Sequence, residues 1–226
     1  MARRVPEAGI VVGVLFASSW LAFVLLVEFD RILTDPSRLL PVVAVAAALC
    51  YPFAAWGVHF DDDPAGTFPP GPVAATGAIA ATVPVVAGFL GGAPLFGLVV
   101  ALVVALPPAA YAVVYGDLLP PARATLAVGS VLSVGSVVAG VWVAQPYLAG
   151  VVALLTFFAS VAVHDRADAP HLPAWLVFGG TATVAALVGG GSVALGRPVT
   201  VTLASMLVVG FGGAVGVRFL SVPSGR

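Results

Sequence analysis

The sequence of 226 residues contains few charged side chains and no lysine. Charged residues make up 8% of the chain and hydrophobic residues 61%, whereas soluble domains contain about 25% charged residues. So few charges cannot cover a water-exposed surface, which excludes a soluble globular domain. The absence of lysine excludes a Schiff base to retinal or pyridoxal phosphate, a phosphate-loop lysine and a lysine general base.

The sequence also contains a single cysteine and has a small net charge. The single cysteine, Cys50, lies in an apolar run, so neither a disulfide within the chain nor a cysteine metal site is possible. The formal net charge is −1, which gives no basic surface for nucleic acid. The expected partners are the lipid bilayer and other membrane proteins.

Long apolar runs, by contrast, recur along the whole chain, and the mean hydropathy is +1.13. We predict membrane spans over residues 8–27, 39–58, 73–92, 94–115, 125–144, 147–163, 174–196 and 199–217. Each is close to the length that a helix needs to cross a bilayer. Runs such as LVVALVVAL do not alternate as barrel strands do. We therefore predict an all-α integral membrane protein, a bundle of about eight transmembrane helices in a single domain over residues 1–226.

The first span is expected to be retained rather than cleaved. It is longer than the apolar part of a typical secretory signal, and it ends in Glu28-Phe29-Asp30-Arg31 without a small-residue cleavage site. The charged loops then give an orientation. Arginines on one side of the eight spans outnumber those on the other by six (3, 4, 123, 166, 218, 226) to three (31, 38, 197). We expect a multi-pass protein of the plasma membrane, and the positive-inside rule predicts that both termini lie in the cytoplasm.

The sequence nearly repeats itself after 52 residues. Segments 85–102 and 137–154 agree at nine of eighteen positions. Pro94, Pro146 and Pro198 have the same spacing, and each lies in a tight turn between spans. This pattern favours four tandem helical hairpins that enter the membrane in the same orientation. The alternative is convergence, since two spans and their loops take about 50 residues in any such chain.

Charges are absent from the centres of the predicted spans, which argues against a proton-coupled pump or a voltage sensor. The titratable residues cluster in two polar loops, 59–72 and 164–173. Four of them are candidate ligands for a divalent metal: His59, His164, Asp168 and His171. The last three would share one face of a helix. Because Pro170 disfavours helix there, a solvated acidic loop is the preferred interpretation, with no cofactor and no catalytic residue.

Small and hydroxyl residues recur inside the predicted spans. The main examples are Gly129, Ser133, Ser136, Gly140, Gly179, Gly180, Thr181, Thr183, Gly212 and Gly216. Close helix packing explains them, and a hydroxyl-lined solute path would use the same residue types. Two functions therefore remain open. The favoured one is a non-catalytic membrane component, a scaffold or complex subunit, and the alternative is a small permease for a neutral or weakly polar solute.

Overall fold

A computed structural model describes residues 6–116, 121–166 and 173–196, together with Thr202. Over these residues the chain is helical and contains no strand, which confirms the predicted all-α class. The helices are α1 Pro6–Thr34, α2 Leu39–His59, α3 Pro64–Thr67, α4 Pro70–Leu90, α5 Pro94–Tyr115, α6 Ala122–Trp142, α7 Pro146–Arg166 and α8 Ala174–Ala194. Seven of those described are long and apolar enough to cross a membrane, as expected of a polytopic membrane protein. Except for Thr202, the predicted eighth span lies outside the described residues.

Helix α1 extends beyond the predicted span 8–27. It continues to Thr34, so the predicted loop 28–38 is wrong over residues 28–34. Glu28 and Arg31 are helical neighbours, and their side chains form an ion pair at 2.9 Å. Charged residues therefore end the apolar span here without ending the helix.

A short 3-10 turn, Pro36–Arg38, links α1 to α2. Asp35 caps it by accepting hydrogen bonds from the Ser37 hydroxyl at 2.6 Å and the Ser37 backbone N–H at 3.2 Å. The Ser37 hydroxyl is the main reason that the pKa of the Asp35 carboxyl is lowered. The cap is thus formed at neutral pH.

The chain forms two compact units, Met1–Asp117 and Leu118–Arg226. In the first unit α1 packs along α2, and α4 packs along α5, while α2 also contacts α4 and α5. Its core consists of small and medium aliphatic side chains: Leu40, Ala47, Ala87, Val100 and Val104. Small core residues let helices approach closely where lipid supplies no hydrophobic drive for association.

In the second unit α7 lies against both α6 and α8. Two clusters form its core. Their buried members are Val137, Ala153, Leu154, Val184, Ala185 and Val188 in one, and Phe157, Val161 and Val177 in the other. Helix α7 is accordingly the most buried of the candidate spans.

Two tight turns, 52 residues apart, have the same backbone hydrogen bonds. The Ala93 N–H donates to the Gly88 carbonyl at 2.7 Å, and the Gln145 N–H donates to the Gly140 carbonyl at 2.8 Å. This bond is typical of a Schellman helix end, which needs a left-handed residue just before the donor. The left-handed residues are Gly92 at φ 70°, Ala144 at φ 56° and, after α8, Gly196 at φ 64°. The turns are thus built alike, and the common ancestry of the hairpins stays a prediction.

Ala144 occupies a position where the matching turn has Gly92. A residue with a Cβ atom in the left-handed region costs about 1–2 kcal/mol, which replacement by glycine would remove. Glycine's greater conformational freedom in the unfolded chain offsets part of that gain in stability. We therefore expect Ala144→Gly to stabilise the protein by about 0.5–1 kcal/mol, measured by thermal unfolding in detergent. The matched variant Gly92→Ala should lose a similar amount, because a Cβ there meets no neighbouring atom and only the backbone is strained. Equal stability of all three proteins would contradict this explanation.

Candidate functional site

A row of polar side chains follows one face of α7. Thr156, Ser160 and His164 are spaced four residues apart, so they lie above one another on the helix. Ser160 and His164 are buried, and so is Ser133 on α6, whose hydroxyl oxygen lies 3.0 Å from that of Thr156. We call these four residues the polar row. Its members Ser133, Thr156 and Ser160 lie at the described α6–α7 contact.

The hydroxyls of the polar row bond mainly to protein carbonyls. The Ser133 hydroxyl lies 2.8 Å from the Gly129 carbonyl of its own helix and 2.8 Å from the Ala153 carbonyl of α7. Ser160 donates to the Phe157 carbonyl at 2.7 Å. Of these carbonyl bonds, the one from Ser133 to Ala153 joins two helices, and such a bond contributes about 0.6 kcal/mol within a membrane. Hydroxyls that are already bonded to carbonyls are not free to bind a solute, which favours packing over a solute path.

Other small and hydroxyl residues from the sequence behave in the same way. Thr181 and Thr183 on α8 donate to carbonyls of their own helix at 2.8 Å. Gly129 lies so close to Ser160 that a Cβ atom would collide with the serine side chain. Gly179, in contrast, faces open space, while Gly212 and Gly216 lie outside the described residues. Close helix packing therefore explains Gly129, whereas the two threonines bond within their own helix and Thr183 is exposed.

His164 differs from the rest of the polar row. It belongs to α7, so the predicted polar loop 164–173 is wrong over residues 164–166. Its side chain is 6% exposed, and its Nδ1 atom is buried with no hydrogen-bond partner among the described residues. A buried polar atom without a partner costs about 1–3 kcal/mol. Within the described part of the chain, the imidazole thus has a buried hydrogen-bonding atom without a partner.

His59 is placed quite differently. It is the last residue of α2 and is exposed. Its ring stands edge-on to the Phe60 ring, with the ring centroids 4.9 Å apart. In the loop beyond it, Asp61 accepts from the Asp63 backbone N–H at 3.1 Å, and Asp63 accepts from the Gly66 N–H at 3.1 Å. These hydrogen bonds fold the loop and cap α3. They are the contacts of a solvated, structured loop.

The metal hypothesis involves residues of which the structure describes only part. Among the described residues, no group of three or more His, Cys, Asp or Glu side chains is placed to hold a metal ion. Asp168 and His171 lie outside the described residues. Metal ligation by the candidates His164, Asp168 and His171 is therefore untested. The preferred solvated loop is wrong for His164, which is buried on α7, and is untested beyond Arg166.

Sequence reasoning missed two tyrosines that connect distant segments of the first unit. The Tyr51 hydroxyl donates to the Val104 carbonyl at 2.5 Å. The Tyr111 hydroxyl lies 2.6 Å from the Pro64 carbonyl and 2.7 Å from the Phe68 carbonyl, which fastens the loop around α3 to α5. A signal for the first contact exists in the sequence: Pro108 has no N–H, so the carbonyl four residues earlier lacks its helical partner.

Replacing His164 by leucine should stabilise the protein. His164→Leu removes the unpartnered Nδ1 atom and keeps an apolar side chain in the core, so we expect a gain on the order of 1 kcal/mol in detergent unfolding. His59→Leu is the matched control, because that exposed imidazole should change stability by less than about 0.5 kcal/mol. Destabilisation by His164→Leu would instead mean that the imidazole binds something in the folded protein.

Comparison of the chain with protein-family models, curated proteins and solved structures gives no significant match. Its function is therefore inferred from its own residues.

Proposed function

We propose that this protein is a non-catalytic component of the plasma membrane, a scaffold or a subunit of a membrane complex. The observation that carries the proposal is the use of the hydroxyls within the described spans. Ser133, Ser160 and Thr181 donate to helix carbonyls, and the Ser133 bond to Ala153 joins α6 to α7, so these hydroxyls form no continuous row of free polar groups for a solute.

The outer face of α1 supports a role as a subunit. This helix packs along α2, and large apolar side chains on its other side are exposed, Leu26 to 85%. Further exposed members of this face are Leu15, Phe23, Val27 and Leu33. In a membrane, either lipid or a helix of a partner protein covers such a face. A subunit uses it to bind the partner helix.

Photocrosslinking in the native membrane tests the subunit role. A photoreactive residue at Leu26 should give discrete protein adducts, whereas one at Ile79 on α4, which is 70% exposed, serves as the matched control. The purified protein in vesicles should in addition be inert in solute-flux assays. Absence of protein adducts at Leu26, or flux through the purified protein, would overturn the proposal.

A second candidate is a small permease for a neutral or weakly polar solute. His164 favours it, because its unpartnered Nδ1 atom continues the polar row and could bond to a passing solute. Osmotic swelling of vesicles in glycerol or urea is the test. A permease should accelerate swelling and should slow when His164 is replaced by leucine, whereas a scaffold should match empty vesicles in both forms.

The orientation belongs to the same proposal, with both termini in the cytoplasm. Cys50→Ala gives a cysteine-free background, into which Thr34→Cys and Asp62→Cys are introduced separately. Both positions are exposed, and they flank α2. In intact cells a membrane-impermeant maleimide should label the cysteine at position 34 and should label that at position 62 only after lysis. The reverse pattern would invert the topology.

A further inference from the structure

An apolar groove of about 470 Å³ lies on the first unit, between the beginning of α1 and the end of α2. Its lining residues are Ala8, Gly9, Val12, Pro52, Phe53 and Trp56. None of these side chains is charged. Both helices are candidate membrane spans. The groove therefore opens toward hydrocarbon, which favours a lipid acyl chain over a water-soluble ligand.

Close backbone packing creates the groove. A Cβ atom on Gly9 would lie 2.9 Å from the Phe53 carbonyl oxygen and 2.9 Å from the Trp56 ring, so only glycine lets α1 come this near. Phe53 and Trp56 form the aromatic wall of the groove. Phe16 stacks on Phe53 with ring centroids 5.7 Å apart and so holds that ring in place. The Trp56 side chain remains 50% exposed. The groove is thus a formed surface with one aromatic side available for contact.

Negative charge follows directly beyond the aromatic wall. Trp56 contacts Phe60 at 5.2 Å between ring centroids, and Asp61, Asp62 and Asp63 come next in the chain. The loop 59–72 contains no arginine, and Glu7 is exposed in the first turn of α1. Carboxylates and an exposed indole attract an ammonium group, the first by charge and the second by a cation–π contact.

We propose that this groove binds a phospholipid with an ammonium headgroup, such as phosphatidylethanolamine. One acyl chain lies along Gly9, Val12 and Phe53. The ammonium group lies near Trp56 and the aspartates of the loop. Arg3 and Arg4, which precede α1 in the sequence, lie outside the described residues. Because arginine attracts anionic headgroups, a preference for anionic lipid is the outcome that would contradict the proposal.

Fluorescence quenching by brominated lipids tests this site. Trp20→Phe, Trp142→Phe and Trp175→Phe leave Trp56 as the only tryptophan. In equimolar vesicles of phosphatidylethanolamine and phosphatidylglycerol, the brominated form of phosphatidylethanolamine should occupy the site near Trp56 about two- to fivefold more than the brominated form of phosphatidylglycerol, as a single exposed cation–π contact allows. Equal quenching, or stronger quenching by phosphatidylglycerol, would overturn the proposal.

Two variants separate the headgroup contact from the acyl-chain contact. The triple variant Asp61→Asn, Asp62→Asn, Asp63→Asn should reduce the preference for phosphatidylethanolamine, whereas Asp30→Asn, toward the other end of α1, should keep it. Val12→Phe should fill the groove and weaken quenching by both lipids equally. An unchanged preference in the triple variant would refute the role of the aspartates.

Native mass spectrometry of the unaltered protein provides a measurement that does not depend on the tryptophan substitutions. After exposure to equal amounts of the two lipids, the phosphatidylethanolamine adduct should exceed the phosphatidylglycerol adduct by the same two- to fivefold ratio. Equal adducts would refute the proposal even if the single-tryptophan protein failed to fold.

Discussion

Gly97→Leu is expected to prevent the first unit from folding, and Gly97→Ala is expected to destabilise it by about 1–3 kcal/mol. Helices α4 and α5 cross at this glycine. A Cβ atom on Gly97 would lie 2.6 Å from the Pro84 carbonyl oxygen and 2.9 Å from the Gly88 Cα atom. Both obstacles are backbone atoms, and Pro84 is fully buried, so neither can move without shifting a helix.

Unfolding in detergent, followed by helical circular dichroism, measures this effect. Gly71→Ala on α4 is the matched control, because a Cβ there meets no atom within 4 Å. Alanine in that helix should leave stability unchanged or raise it by up to about 1 kcal/mol. A Gly97→Leu protein as stable as the parent would show that the two helices do not cross at this glycine.

Tyr51→Phe is expected to cost about 1–3 kcal/mol, because it leaves the Val104 carbonyl without a partner in the interior of the first unit. In an ordinary helix the N–H of residue 108 would bond to this carbonyl, but Pro108 has none. The Tyr51 hydroxyl, on another helix, takes its place. The proline and the tyrosine are therefore coupled through one carbonyl oxygen.

A double-mutant cycle tests this coupling. Pro108→Ala restores an N–H that can bond to Val104, so Tyr51→Phe should cost at least about 1 kcal/mol less in the Pro108→Ala protein than in the parent. The cycle also cancels the packing of Pro108 against Gly77, since both Pro108→Ala proteins lack it. Equal costs in the two backgrounds would rule out the shared carbonyl.

The seven described spans were predictable because they depend on composition and length. Even 73–92 and 174–196, which are rich in small residues, correspond to helices α4 and α8. The end of α1 was not predictable in that way, since Glu28 and Arg31 pair along the helix and extend it past the apolar run. Hydropathy locates the bilayer boundary of a helix and does not locate its last residue.

The candidate site was harder to predict than the spans. The sequence indicated Ser133 as part of a small-residue face but placed His164 in a solvated loop, although its side chain is buried on α7. Burial depends on which helix packs against that turn, and this information is tertiary. The contact from Tyr51 to Val104 joins residues far apart in sequence, and Pro108 indicates only that a carbonyl needs a donor.

The Gly91–Ala93 turn bears on how the chain enters the membrane during synthesis. It contains no charged side chain, and its Ala93 N–H is already bonded to Gly88. Passage of this turn through hydrocarbon therefore exposes few unsatisfied polar groups, and α4 and α5 can insert together as one hairpin. The α1–α2 connection carries Glu28, Arg31 and Arg38 as an ion-paired group, so in the proposed orientation, with the N-terminus in the cytoplasm, inserting that hairpin requires charges to cross the bilayer. The first hairpin consequently needs more help from the insertion machinery than the second.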